Sequence, residues 1–275
     1  MWTLSAFADE IDDDLEVQCQ TLQRLGIGCI ELRSAWGVNV SDFDDAMIDD
    51  TRAILDKYGI TVSSIGSPIG KIGVTEPFDP HLERFENVLT VAADLKAAYV
   101  RVFSFFIPDG DDPDGHRDEV LRRMAALAEL AERHQTVLLH ENEKHIYGDI
   151  PRRCLDLVET IGSRSLRLTW DSANFVQCGV RPFTDAYALL RPHVEYVQVK
   201  DAQLATGEVV PAGLGDGELV ETWRALRDDG FDGYFSLEPH LRSASALGGF
   251  SGPELFEKAH AAFTGQLRLE GIDFG

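Results

Sequence analysis

Four short stretches of this 275-residue chain carry side chains that together could bind a divalent cation and move a proton. They are His140-Glu141-Asn142-Glu143, Thr169-Trp170-Asp171-Ser172, Val197-Gln198-Val199-Lys200-Asp201 and Leu237-Glu238-Pro239-His240. Each offers one oxygen donor, Glu141, Asp171, Gln198 or Glu238, and successive donors stand 30, 27 and 40 residues apart. Three carboxylates brought together repel one another unless a counter-charge neutralises them. A divalent cation removes that cost. Carboxylates plus an amide oxygen form a hard donor set, which suits Mn2+, Mg2+ or Co2+ better than Zn2+. Such a cation polarises a carbonyl and makes the neighbouring C–H acidic. The competing reading is that these are solvated loop ends of an acidic chain.

The elements around these residues decide between the two readings. Short apolar runs alternate with amphipathic helical patterns along the chain. The runs are Trp2–Ala8, Gly28–Arg33, Ile60–Ile65, Tyr99–Phe105, Thr136–His140, Leu166–Trp170, Tyr196–Lys200 and Tyr234–Leu237. Helices are expected between them. One carries Leu15, Cys19, Leu22 and Leu25 on one face and ends at Gly26. Another spans Ala46–Tyr58 and ends at Gly59. A third opens at Asp79-Pro80, and others cover Pro151–Ile161, Phe183–Leu190 and Leu219–Asp229. A last helix from Pro253 to about Phe263 has Ser251 and Glu254 placed as a capping box. Eight such units predict a (β/α)8 TIM barrel, one domain over residues 1–275, with both faces of each strand buried. An open dinucleotide-binding sheet is disfavoured, because Ala8-Asp9-Glu10 stands where a Gly-rich loop belongs and no GxGxxG occurs. Barrel active sites lie at the C-terminal strand ends, so four consecutive strands would deliver the four donors to one mouth.

These stretches resemble the xylose-isomerase-like TIM-barrel superfamily, the sugar phosphate isomerase/epimerase group. The resemblance rests on Leu139-His140-Glu141-Asn142, Trp170-Asp171-Ser172-Ala173-Asn174, Val197-Gln198-Val199-Lys200-Asp201, Gly213-Leu214-Gly215-Asp216-Gly217 and Gly233-Tyr234-Phe235-Ser236-Leu237-Glu238-Pro239. With the Gly28–Arg33 strand it covers nearly the whole chain, and it is specific to the superfamily rather than to a substrate. It implies that Glu141, Asp171, Gln198 and Glu238 hold the metal, and that Glu141 and Glu238 act as an acid–base pair across a carbohydrate. Gln198 departs from the His that many relatives carry, which leaves the metal's identity open. It also implies a homo-oligomer, since relatives often form dimers or tetramers.

Other residues complete the expected site. Lys200 is placed to bind a substrate oxygen or stabilise an enediolate. Arg101 breaks an apolar run, so it faces the mouth or pairs with a carboxylate. Glu31, His145, Asn174 and His240 are expected substrate contacts, Glu31 alternatively a support for them. His140 alternates away from Glu141 along the strand and reads as structural. The Gly213–Gly217 loop could offer amides to a phosphate or hydroxyl, and Ile65–Gly73 could form a lid. Proton return to the next carbon isomerises, return to the opposite face epimerises, and loss of hydroxide dehydrates. A metal-dependent isomerase or epimerase is therefore expected. An inosose-dehydratase-type lyase and a non-catalytic barrel binding protein are the alternatives.

Charge excludes other classes. With 25 Lys+Arg against 47 Asp+Glu, the net charge of −22 disfavours nucleic acid and anionic membrane as partners. The same charge, with only eight histidines, argues against the apurinic-endonuclease branch of this fold. No apolar stretch is long enough to span a bilayer. Residues 1–10 lack the features of a signal peptide, and the four cysteines show no CxxC spacing. They are expected to be reduced thiols in a cytoplasmic protein.

Overall fold

The computed structural model describes residues 1–245 and 248–275. Eight parallel strands form its central sheet: β1 Thr3–Ala6, β2 Cys29–Leu32, β3 Thr61–Ile65, β4 Tyr99–Val102, β5 Val137–Glu141, β6 Leu166–Asp171, β7 Val194–Val199 and β8 Tyr234–Leu237. Hydrogen-bonded order runs β1-β8-β7-β6-β5-β4-β3-β2, and the two end strands, β1 and β2, lie against each other. The sheet therefore curls into the nearly closed barrel that the strand–helix rhythm predicts.

Helices α1 Leu15–Leu25, α2 Asp45–Tyr58, α3 Asp79–Asp94, α4 Arg117–Arg133 and α5 Pro151–Ile161 connect the first six strands. Local chemistry sets their ends. Asp14 caps α1 by accepting from the Glu16 and Val17 amides, and Gly26 closes it in the left-handed conformation. Asp44 and Gly59 do the same for α2. Asp79 does not cap α3: it lies in the first turn, the cap position is Phe78, and Pro80 tolerates its place because the early amides have no helical partner.

The β6–β7 connection differs from the single helix expected at Phe183–Leu190. Helix α6, Ser172–Gln177, starts directly from Asp171, whose carboxylate accepts from the Asn174 amide. A π-helical turn, Pro182–Tyr187, then runs into α7, Ala188–Leu190. Helices α8, Leu219–Asp228, and α9, Pro253–Leu269, complete the layer. The expected capping box of α9 is not made. Ser251 Oγ instead donates 2.8 Å to Glu10 Oε2 and accepts from the Leu241 amide, tying the β8–α9 connection to the end of β1.

The core has two parts. Between barrel and helices, Trp2 stacks on Phe235 at 3.9 Å between centroids, Trp223 packs edge-on against both, and Phe263 stacks on Phe235. Inside the barrel, Tyr99, Tyr196 and Tyr234 fill the floor, and the Tyr196 hydroxyl bonds Ser63 at 2.9 Å. This polar floor leaves the opposite end of the barrel to charged side chains. Among the described residues, no helix is long and apolar enough to cross a membrane. Cys19, Cys29, Cys154 and Cys178 are free thiols.

Candidate active site

Strand geometry delivers the four expected donors to one end of the barrel. Glu141 and Asp171 are the last residues of β5 and β6, Gln198 pairs in register with Asp171, and Glu238 follows the last residue of β8. None is more than 2 % exposed. One oxygen from each of Glu141, Asp171 and Glu238 lies within 4.8 Å of the others. That is the spacing of a cation cage.

Hydrogen bonds orient each carboxylate. Asn174 Nδ2 donates to Glu141 Oε1 at 2.8 Å and to the Asn142 carbonyl at 2.9 Å. Asn142 locks the Asp171 backbone in turn, donating to its carbonyl and accepting from its amide. The Asn174 side chain thus orients Glu141, and its backbone amide donates to Asp171 Oδ1. Lys200 Nζ sits 2.8 Å from Asp171 Oδ2 and donates 2.9 Å to Glu238 Oε2. Arg101 Nη1 stands 3.2 Å from Glu141 and 3.5 Å from Glu238, its guanidinium held over the Phe7 and Phe103 rings. The mouth therefore carries internal counter-cations as well as acids.

Several oxygens remain without an aligned hydrogen bond among the described residues: Glu141 Oε2, Asp171 Oδ2 and Gln198 Oε1. Arg101 and Lys200 ion-pair with the first two at 3.2 and 2.8 Å, so Gln198 Oε1 is the one of the three with no cation or donor on it among the described residues. Buried acceptors are rarely left so, and an orphaned amide oxygen on the strand beside Asp171 is compatible with a bound cation. The donor set fits a hard divalent ion.

Electrostatics splits the carboxyls. Burial pushes Glu141 up to about 8 and Asp171 up to about 6. Burial acts on Glu238 too, but Lys200, His240 and Arg101 overcome it and hold Glu238 well below the usual carboxylate range. Burial also raises Glu31 to about 7 against the pull of Arg101. Despite its own burial, Lys200 is held well above its ordinary value by Asp171 and Glu238.

The remaining expected contacts divide. His240 Nε2 lies 3.3 Å from Glu238, within the cluster. Glu31 reaches Gln198 Nε2 at 3.3 Å. His145 is not brought in: Glu143 and Lys144 turn the chain outward, and His145 lies exposed at a surface cleft of about 200 Å³ with Ile107 and Asp109. His140 bonds Ser104 Oγ at 2.9 Å beside the strand, a structural role as expected. The Gly213–Gly217 loop offers nothing to a ligand through its glycine amides. Gly213, Gly215 and Gly217 all donate to the Asp201 carboxylate, and a side chain on Gly215 would come within 2.4 Å of it.

Sequence reading missed Glu10, Asp9 and Arg33. Arg33 donates from Nε to Asp9 at 2.7 Å and from Nη1 to Glu238 at 3.0 Å. Glu10 Oε2 accepts from the His240 amide and Ser251, and Oε1 faces His240 Nε2 at 3.4 Å. Arg33 directly follows the last residue of β2, whereas Asp9 and Glu10 lie in the 3-10 turn after β1, and what each side chain meets is set by residues far away in sequence.

Glu10 also makes stability depend on pH. Burial raises it from the ordinary 4.5 to about 8. A carboxyl raised by folding contributes stability in full below its unfolded value and loses it as pH rises through the folded value. Glu31 and Glu141 act in the same direction. Metal-free protein is therefore expected to be less stable at pH 8 than at pH 6. Glu10→Gln should flatten that slope by roughly 2 kcal/mol. Urea unfolding in EDTA at both pH values measures it, and an unchanged slope would assign the dependence to other groups.

Comparison with known proteins agrees with the geometry. The sequence profile described as a xylose isomerase-like TIM barrel matches residues 19–264. No curated protein sequence matches the chain. Among solved structures, a D-tagatose 3-epimerase-like protein superposes with TM-score 0.78 at 15 % identity, covering 98 % of each chain. The probable 3-DHS dehydratase AsbF from Bacillus anthracis gives 0.75 at 18 %, covering 96 % of this chain and 98 % of its own. A xylose isomerase-like barrel from Mycobacterium smegmatis in complex with magnesium gives 0.68 at 19 %, covering 97 % of each. At such identities the superpositions establish the fold, and the profile match over most of the sequence establishes kinship: the chain belongs to the xylose isomerase-like TIM barrel family.

Proposed function

We propose that the chain is a divalent-metal-dependent isomerase or epimerase acting on a hydroxy-carbonyl carbohydrate. The observation that carries this reading is the buried convergence of Glu141, Asp171 and Glu238, with Gln198 in register beside Asp171 and its amide oxygen without a hydrogen-bond partner among the described residues. These four residues would hold the ion. When bound, it would polarise the substrate's carbonyl and hydroxyl oxygens and favour an enediolate.

The chain's own groups do the rest. Glu141 and Glu238 come from strands three places apart around the barrel, so they flank whatever lies between them. One removes the proton next to the carbonyl, and the same or the opposite one returns it. Lys200 donates to the oxygen that gains charge. Arg33 and Arg101 hold Glu238 in one orientation. Burial of every one of these groups keeps bulk water from quenching the intermediate. The substrate is unphosphorylated in this reading, because Asp201 takes up the glycine amides that might have held a phosphate.

One observation favours a lyase as second reading. His240 stands beside Glu238 and Glu10, an extra proton carrier where a departing hydroxide would need one, and one superposed relative is described as a probable dehydratase. Product analysis separates the readings. Mn2+-loaded protein with a panel of ketoses and keto-polyols should give isomers of unchanged mass. Products lighter by one water would establish the lyase. Bound metal without turnover on any carbonyl substrate would count against both.

A further inference from the structure

An amide ligand raises a problem that a carboxylate does not. The two ends of a Gln side chain have nearly the same shape, but one is an oxygen acceptor and the other an NH2 donor. Only the oxygen coordinates a hard cation. A half-turn about the last side-chain bond costs no volume and would point two N–H groups into the cage. Something must choose the orientation.

We propose that Glu31 is a positioning residue that fixes the polarity of the Gln198 amide and so makes it a metal ligand; the inference rests on reading the barrel mouth as a metal cage. Glu31 is fully buried on β2, across the barrel from Gln198. The register of β2 against β3 shifts between Ile30 and Glu31, an irregularity of the kind that re-aims side chains beside active sites. Glu31 Oε1 accepts from Gln198 Nε2 at 3.3 Å. A carboxylate only accepts, so it selects the nitrogen end and turns the oxygen away.

The simpler account is a buried polar pair that serves packing alone. It leaves Gln198 Oε1 unexplained. That oxygen is buried and has no hydrogen-bond partner among the described residues. A pair selected for packing would not leave an acceptor stranded, at a cost of about 1–3 kcal/mol. Gln198 is in register with Asp171, one of the three clustered carboxylates; as a ligand atom the stranded oxygen would have its partner, and Glu31 would be the kind of outer partner that orients metal-binding side chains elsewhere.

A charge-conserving exchange tests this by calorimetric Mn2+ titration at pH 8, with thermal unfolding in EDTA run alongside. Glu31→Gln presents both a donor and an acceptor to Gln198, so the amide loses its fixed polarity. Mn2+ affinity is expected to fall about 10–100-fold. Glu31→Gln combined with Gln198→Glu keeps total charge and volume and puts oxygens at both ends of residue 198. Polarity then no longer matters, and Mn2+ affinity should return to the wild-type value or better. Glu31→Asp keeps the charge but shortens the reach, and should also weaken Mn2+; it carries the test if Glu31→Gln does not fold. Undiminished Mn2+ binding in Glu31→Gln or Glu31→Asp overturns the proposal. So does an exchange variant that folds like wild type yet binds as poorly as Glu31→Gln, since the charge of Glu31 itself would then be what matters. Wild-type protein that takes up no Mn2+ overturns both this inference and the functional reading beneath it.

Discussion

Replacing Glu238 by Gln is expected to stop turnover and loosen the fold in one step. Glu238 Oε1 lies within 3.0 Å of Arg33, 3.5 Å of Arg101 and 3.3 Å of His240, and Oε2 accepts from Lys200 at 2.9 Å. Gln keeps the shape but loses the charge that these buried cations share. Breaking a buried ion pair from one side costs about 3–5 kcal/mol, because the partner is left uncompensated. Removing an acid–base group lowers turnover by about 10²–10⁴-fold. Urea unfolding and single-turnover assays read the two effects separately. A variant with wild-type stability would contradict the geometry. One with wild-type turnover would remove Glu238 from the reaction.

Lys200→Met should produce the second large effect, with a distinctive dependence on metal. In the absence of a divalent ion, the Lys200 ammonium is the cation between Asp171 and Glu238. Its removal leaves three buried carboxylates facing one another with Arg101 and Arg33 as their remaining counter-charges. Metal-free protein should therefore lose stability. Binding of a divalent ion should tighten, since no ammonium competes for the same oxygens, and a ligand that binds only the folded state raises its melting temperature. The gain in melting temperature on adding Mn2+ is expected to be larger in Lys200→Met than in wild type. Turnover should still fall, by about 10²-fold or more, because the donor to the developing oxyanion is gone. Equal Mn2+-induced gains in the two proteins would show that Lys200 and the metal do not share a site.

Much of this architecture was legible in the sequence because barrel strands announce themselves by apolar runs, and strand ends fall at predictable places. Glu141, Asp171 and Glu238 directly follow such runs and Gln198 lies near the end of its own, and all four lie buried at one end of the barrel. What was not legible depends on contacts between residues far apart in sequence. Arg33 meets Glu238 over 205 positions, and Ser251 meets Glu10 over 241. No local pattern encodes such pairs, so Ser251 read as a helix cap when its hydroxyl serves Glu10. Helix α6 escaped notice because a single short turn, capped by Asp171, leaves no hydrophobic period to detect. The glycine loop misled in a similar way: its glycines permit close approach, but to the chain's own Asp201.

In the proposed function the barrel mouth binds a divalent ion and uses it, with Glu141 and Glu238, to exchange a proton beside a carbonyl. Mass spectrometry of candidate ketoses incubated in D2O tests it most directly, with wild type, Glu141→Gln and Glu238→Gln compared in the presence of Mn2+ and after EDTA. Deuterium is expected at the carbon next to the carbonyl with Mn2+-loaded wild type only. Deuterium uptake that persists without metal, or that both variants retain, would contradict it.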